Sequence, residues 1–300
     1  MKCDFLIVGC TSAVGSRLLV KLLDQGYRVN GIRLNSNCRI KNANHSCVSL
    51  DVLNTDPRII VSKFPSSTLL MTSWITTPGI FWDSPLNSKW AEAYKNFIVA
   101  FKANGGSRIV GLGSCAEYRL DDQSALSEAS VTAPISAYGK SKLEVCHFLS
   151  QLEIDYLWVR TFFQYGPEDY EEKFIASLIN AFQKNQVFDL RDPSGLRDYV
   201  HIDDVSEVLF RLIIKGSRGV YNIGTGHSVS GFEVASITHS AMGNRGKILI
   251  SDPIPQAQNI FTSTEKLEKE IGPIEWIDVK TGIQQMINMG MPSRRVGDTK

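Results

Sequence analysis

Apolar residues in the first half of the chain fall into short uninterrupted runs separated by amphipathic stretches. Phe5-Leu6-Ile7-Val8 is such a run, and Gly9 ends it. A short run without polar alternation reads as a buried parallel strand closing in a glycine turn. Between Ser16 and Gln25 the spacing changes: Leu18, Leu19, Leu22 and Leu23 share one helical face, and Gly26 follows as a C-cap. Residues 27–32 form the next strand, so strand, turn, helix and strand fit within about 30 residues, a βαβ unit. The pattern predicts further strands over 46–50, 68–73, 107–112 (running on to Ser114) and 155–160, with helices over 90–103 and 137–152. This alternation predicts an α/β chain with a doubly wound parallel sheet.

After Gly166 the rhythm breaks. A helix is expected over 171–184, a short strand over 187–190 and a turn at Asp192-Pro193-Ser194-Gly195. Another helix is expected within 200–214 and a strand over 219–223, ahead of Gly224-Thr225-Gly226. Beyond Ser230 the pattern is mixed, and the polar end, 292–300, is expected to fray. The expected division is therefore 1–165, with 199–223 returning to it, and a smaller second body from 166–198 and 224–300.

Composition narrows the class. A hydrophobic fraction of 43% with 21% charged residues is that of a soluble globular protein. A net charge of +1 offers nothing to a nucleic acid. No run approaches the roughly 20 apolar residues that span a bilayer, and residues 5–8 are too short for a signal-peptide core. The six cysteines are spread along the chain without a Cys-x-x-Cys pair, which reads as reduced thiols in a cytoplasmic protein with no zinc site.

Two stretches carry chemistry. In Tyr138-Gly139-Lys140-Ser141-Lys142, the tyrosine and the last lysine stand at i and i+4, on one helical face. A phenol with a pKa of about 10 is a poor base near neutral pH, and an ammonium one turn away favours its ionised form. Ser114, in Gly113-Ser114-Cys115-Ala116-Glu117-Tyr118, adds a hydroxyl that can hold a substrate oxygen and relay a proton. Such a trio adds or removes a proton at a carbonyl or alcohol oxygen while a hydride moves at the attached carbon. An exposed tyrosine over a lysine stem has the same spacing, so the rest of the chain decides. The second stretch is Gly9-Cys10-Thr11-Ser12-Ala13-Val14-Gly15, between the first strand and the first helix. A helix N-terminus there favours a pyrophosphate; Gly9 permits the tight turn and Gly15 close packing.

With these motifs in order, the chain resembles the extended short-chain dehydrogenase/reductases of the nucleotide-sugar epimerase, dehydratase and reductase type. The family's loop is Gly-x-x-Gly-x-x-Gly, and Ser12 replaces its middle glycine. The resemblance extends through Asp51-Val52, Arg160-Thr161-Phe162-Phe163-Gln164-Tyr165-Gly166-Pro167, Arg197-Asp198-Tyr199-Val200-His201-Ile202-Asp203-Asp204 and Asn222-Ile223-Gly224-Thr225-Gly226, covering residues 4 to 290. It implies a Rossmann sheet with a smaller mixed C-terminal substrate domain. It implies Ser114, Tyr138 and Lys142 as catalytic residues. It implies a dinucleotide held by Gly9, Thr11, Ser12, Ala13, Val14, Gly15, Asp51, Val52, Tyr138 and Lys142, and a homodimer formed through a helix pair. The implied partner is a nucleotide sugar, met by Cys115, Ala116, Gln164, Lys173 and Arg197. Arg197 would face the diphosphate; a local ion pair with Asp198 is the other reading. His201 reads as a structural histidine, and Asp203 or Asp204 as a helix cap. Glu117 either binds a sugar hydroxyl or pairs with Arg119 or another surface charge. The segment from Trp74 to Trp82 either lines the sugar pocket, with Trp74 as a contact, or is ordinary loop packing.

Departures from the family pattern select a reaction. Dehydratases of this type carry an Asp-Glu pair after the catalytic hydroxyl residue, where this chain has Cys115 and Ala116. Enzymes that epimerise at C3 and C5 use a cysteine and a histidine where this chain has Ala116 and Glu168. Hydride chemistry at one carbon survives, most simply reduction of a C4 keto group on a 4-keto-6-deoxy sugar. A 4-epimerase with bound NAD is the alternative, and a non-catalytic NADP-sensing protein a distant one. The second strand closes on Arg33, where NAD-preferring members carry an acid, so NADPH is the expected cofactor ahead of NAD. Ser36, Asn37 and Arg39 are candidate further donors.

Overall fold

The computed structural model describes residues 2–34, 38, 40–120, 124–253 and 258–290. Ser36, Asn37, Arg39 and the end 292–300 lie outside the described residues. In chain order the strands are β1 (Cys3–Val8), β2 (Val29–Arg33), β3 (His45–Ser49), β4 (Ser66–Met71), β5 (Arg108–Ser114), β6 (Asp155–Thr161), β7 (Phe163–Tyr165), β8 (Val187–Asp189), β9 (Leu196–Arg197), β10 (Tyr199–His201), β11 (Gly219–Ile223), β12 (Val229–Ser230) and β13 (Lys247–Leu249). The helices are α1 (Ala13–Asp24), α2 (Pro57–Lys63), α3 (Leu86–Ala103), α4 (Ala137–Ser150), α5 (Phe174–Gln183), α6 (Ile202–Lys215), α7 (Gly231–Ala241), α8 (Glu265–Ile271) and α9 (Val279–Met289).

Seven strands form one sheet in the order β11-β6-β5-β4-β1-β2-β3, every pair parallel. The order reverses between β1 and β4, and in such sheets the crevice beyond the carboxyl ends of the two strands is where ligands bind. The inner strands β1, β4 and β5 are largely buried on both faces, which is why their sequences lack alternation. On one face, Leu18, Leu19 and Leu22 of α1 pack with Val205, Leu209 and Leu212 of α6. On the other, Tyr94, Phe97 and Phe101 of α3 meet Val145 and Leu149 of α4 and Trp158 of β6.

A second core gathers Tyr165, Ile175, Ile179, Phe182, Val234, Ile283 and Met286. The expected boundaries need one correction. Leu267, Ile271, Ile274 and Trp276 pack with the first core, so this part of 224–300 returns to the large sheet. A second correction concerns α6. It begins at Ile202 and the His201 side chain caps it, accepting from the Asp203 N–H, so Asp203 and Asp204 lie in the first turn rather than at the cap. The sheet also undoes the scatter of the cysteines: Cys38, His45 and Cys47 bring their side-chain ligand atoms within 4.8 Å of one another, and Cys10 joins Cys47 at 3.5 Å.

Candidate active site

The crevice at the strand reversal is built by glycines and a threonine. A Cβ on Gly9, whose φ is +89°, would stand 2.2 Å from Ser73 Oγ; one on Gly15 would stand 2.1 Å from Gly9 O. Ser12 caps α1, accepting from Gly15 N–H at 3.0 Å. Thr72, directly after β4, donates to the carbonyls of Val8 or Gly9 at 2.9 and 3.0 Å and accepts from Ser12 Oγ at 3.2 Å. Ala13 and Val14 form the first turn of α1, so the loop from Gly9 to Gly15 presents the helix N-terminus to the crevice. Arg33 closes β2 beside it, and its Nε is buried without a hydrogen-bond partner among the described residues. An orphaned guanidinium N–H next to a helix N-terminus fits an anionic dinucleotide. Asp51 follows β3, with its carboxylate accepting from Leu53 N–H at 2.9 Å and Asn54 Nδ2 at 2.6 Å, and Val52 packs against the core.

Ser114 ends β5 and starts a 3₁₀ turn, Cys115–Glu117, accepting from Ala116 N–H at 3.2 Å. Tyr138 lies in the first turn of α4, capped by Ser136. Gly139 brings the two together: a Cβ there would stand 2.2 Å from Ala116 O, so only glycine lets α4 approach the 3₁₀ turn this closely. Burial pushes the half-buried phenol of Tyr138 above its ordinary value, while a hydrogen bond with Ser114 pulls it down. Lys142 is buried one turn on, its ammonium donating to Leu112 O at 2.7 Å and lying 4.0 Å over the Trp74 ring and 5.8 Å from the centre of the Tyr138 ring.

Burial lowers the Lys142 pKa to about 7, against the opposing pull of the Glu117 charge. In the unfolded chain the amine keeps its proton to about 10.4. From about pH 7 to 10 the unfolded state therefore holds the extra proton, and stability rises with pH; below about 7 the buried ammonium carries its full cost. Lys142→Met should raise the Tm of the cofactor-free protein at about pH 6, and raise it less at about pH 9. Equal gains in thermal melts at the two pH values would show that this lysine is not held depressed.

The aromatic segment divides in two. Trp74 turns into α3, stacking on Trp90 at 6.1 Å and donating to Asn87 Oδ1 at 2.9 Å. Asn87 in turn donates to the carbonyls of Phe81 and Ser84. Phe81 and Trp82 pack edge-on against the Tyr138 ring at 5.0 and 5.8 Å, and Trp82 O accepts from Tyr138 N–H.

Glu117 is placed differently from either expectation. It is wholly buried, not exposed beside Arg119 and not open to a sugar. Its carboxylate accepts from Ser114 N–H at 2.9 Å, Trp158 Nε1 at 3.0 Å and Arg160 Nε at 2.7 Å. Arg160 and Trp158 are the supporting residues that sequence reasoning missed. Cys115 and Ala116 are buried, and burial pushes the Cys115 thiol up to about 12. Arg197 pairs with Asp192 at 3.0 Å, correcting the expected alternative with Asp198. Asp198 instead accepts from Thr225, Gly226 and Thr262 backbone N–H groups, inside the Gly224-Thr225-Gly226 turn. Gln164 donates to Thr161 Oγ1 at 2.6 Å, Lys173 pairs with Asp169 at 2.7 Å, and Glu168 pairs with Arg17 at 3.7 Å.

Against known proteins, the sequence model of the NAD dependent epimerase/dehydratase family matches residues 5–224. UDP-glucose 4-epimerase 2 of Oryza sativa subsp. japonica is 25% identical over 71% of this chain and 57% of its own length, so the chain spans little more than half of that relative. UDP-glucose 4-epimerase GEPI42 of Cyamopsis tetragonoloba is 23% identical over 94% of this chain and 91% of its own. Among solved structures, MoeE5 in complex with UDP-glucuronic acid and NAD superposes with a TM-score of 0.81 at 24% identity, covering 95% of this chain and 98% of that one. No described helix is long and apolar enough to cross a membrane.

Proposed function

The chain belongs to the NAD dependent epimerase/dehydratase family, and from that premise we propose that it is an NADPH-dependent reductase of the C4 keto group of a nucleotide-linked 4-keto-6-deoxy sugar. One observation carries this reading. Among the described residues of the turn after Ser114, none is placed to act as a further acid or base on a substrate: Cys115 and Ala116 are buried, and the Glu117 carboxylate is enclosed by Trp158 and Arg160. Elimination and C3 or C5 epimerisation each need a further acid or base. Reduction at one carbon needs only the phenol.

The loop from Gly9 to Gly15, with Thr11 in it, would hold the pyrophosphate, Arg33, Asp51 and Val52 the adenosine end, and Lys142 the nicotinamide ribose. The bound cofactor supplies a hydride. Tyr138 delivers its proton to the C4 oxygen, Ser114 holds that oxygen by a hydrogen bond, and the Lys142 ammonium stabilises the phenolate left behind. Phe81 and Trp82 pack edge-on against the Tyr138 ring and steady it there. Arg197 and Lys173, from the second body, would meet the substrate diphosphate, and a second copy of the chain would complete a homodimer in the cytoplasm.

A 4-epimerase is the second reading, favoured by the names of the relatives that cover most of the chain. Two assays separate them: NADPH oxidation against dTDP-, GDP- and CDP-4-keto-6-deoxy sugars, and the cofactor content of the purified protein. Stoichiometric NADPH consumption supports reduction. Tightly bound NAD with interconversion of UDP-glucose and UDP-galactose overturns it.

Cofactor preference turns on Arg33. A guanidinium fork pairs with a 2′-phosphate, and a carboxylate there repels it. Arg33→Asp should lower kcat/KM for NADPH by about 10²-fold or more, the cost of losing one charge-assisted pair and adding repulsion. Equal kcat/KM for NADPH and NADH in the unaltered protein would overturn the assignment.

A further inference from the structure

We propose that Cys10, Cys38, His45 and Cys47 form a Cys₃His site for a structural zinc ion, which ties the β2–β3 connection to the cofactor loop. The four residues come from three places that the parallel sheet brings together. Cys10 directly follows Gly9 beyond β1. His45 and Cys47 stand two apart on β3, so they share one face of the sheet. Cys38 lies in the connection between β2 and β3. Gly31, in β2, is the register partner of Cys47. A Cβ on Gly31 would stand 2.7 Å from Cys10 Sγ and 3.1 Å from His45 Cε1, so the cluster sits over bare backbone.

The distances suit a tetrahedral centre. Cys10 Sγ and Cys47 Sγ are 3.5 Å apart, and Cys38 Sγ and His45 Nε2 3.3 Å. Cys47 also hydrogen-bonds Cys38, which closes the set. With Zn–S near 2.3 Å and Zn–N near 2.0 Å, the ligand atoms of a tetrahedral site stand about 3.5–3.8 Å apart. Cys38, His45 and Cys47 hold their ligand atoms within 4.8 Å of one another, and Cys10 joins the set through Cys47, so the ion would draw the Cys10 thiol toward the other two.

His45 is oriented for the task. Its Nδ1 lies 3.0 Å from Val29 O, and that carbonyl accepts only if Nδ1 carries the proton. Nε2 then presents its lone pair to the thiols, the arrangement seen where a backbone carbonyl fixes the tautomer of a metal-bound histidine. Three thiolates and an imidazole are soft and borderline ligands, which select zinc over magnesium or calcium. Four protein ligands leave no open position, so the ion is structural. On binding, the ion displaces the protons of the three thiols. Arg33, which hydrogen-bonds Cys47, balances the remaining negative charge and links the centre to the adenosine end of the crevice. The proposal does not depend on which reaction the active site performs.

The test is metal content and the spectrum of a cobalt-substituted form. Protein reconstituted with Zn²⁺ under reducing conditions and freed of loose metal should hold one zinc per chain by mass spectrometry. Replacement by Co²⁺ should give a thiolate-to-cobalt charge-transfer band and the intense visible bands of tetrahedral cobalt. Cys47→Ser and His45→Ala should each lower retained zinc by about tenfold or more, in line with the loss of a ligand or its orienting partner. Cys3→Ser and Cys146→Ser change thiols outside the cluster and should retain it. If Cys47→Ser does not fold, as judged by circular dichroism, Cys38→Ser carries the same expectation, and the cobalt spectrum needs no variant. Fractional zinc in the reconstituted protein overturns the proposal. So does octahedral cobalt, zinc retained in both cluster variants, or a Cys10–Cys47 disulfide that forms in air in protein unable to take up zinc.

Discussion

Tyr138→Phe is expected to lower kcat by about 10²–10⁴-fold while leaving cofactor affinity nearly unchanged. The substitution removes one oxygen and keeps the ring. The edge-on contacts of that ring with Phe81 and Trp82 persist, so the segment over the site stays in place. What is lost is the transferable proton. Burial holds the phenol above its ordinary pKa, so at neutral pH it stands protonated, the form that reduction consumes. In the proposed reaction the Ser114 hydroxyl remains and would still hold the C4 oxygen, which limits the loss to the proton-transfer contribution. Single-turnover NADPH oxidation with the active substrate measures the first quantity, and cofactor titration by fluorescence the second. Retained turnover would remove Tyr138 from the chemistry; lost cofactor binding would make its role structural.

The parts of the fold that could be read from the chain are those specified by neighbours in sequence. The run from Phe5 to Val8 and the leucines of α1 each declare their own periodicity, and the sheet follows from their alternation. The seven-residue α2 escaped because it shows too few turns for a period, although Asp56 before Pro57 carries a cap signal. Tyr138 and Lys142 were legible because helical spacing alone puts them on one face. Glu117 was not, because its partners arrive by strand register: Arg160 lies opposite Gly113 and Trp158 opposite Gly111. Nothing local to Glu117 distinguishes a buried ion pair from an exposed acid. The grouping of the cysteines was illegible for the same reason. Cys10 and Cys47 are 37 residues apart and become neighbours only when β1, β2 and β3 pair in parallel.

The second large effect follows from that register. Glu117→Ala is expected to destabilise the protein by about 3–5 kcal/mol, because removing one partner of a buried ion pair leaves the other charged and enclosed. Arg160 would be that charge: its side chain is 5% exposed, and its guanidinium lies 4.5 Å over the Tyr118 ring. The Ser114 N–H and Trp158 Nε1 would lose their acceptor as well. Neighbouring chains cannot fill the gap cheaply, since Gly113 is the residue that makes room; a Cβ there would stand 2.3 Å from both Glu117 Oε1 and Trp158 Nε1. Glu117→Gln keeps the shape and one acceptor but not the charge, so its cost should be smaller, about 1–3 kcal/mol. Activity should fall in both, because the bond from Ser114 N–H is half of the reciprocal cap that sets the 3₁₀ turn and with it the Ser114 hydroxyl. Urea unfolding at constant m-value measures the stabilities. An alanine variant within about 1 kcal/mol of the unaltered protein would mean that Arg160 finds another partner, and the carboxylate would then not be what holds the floor of the site together.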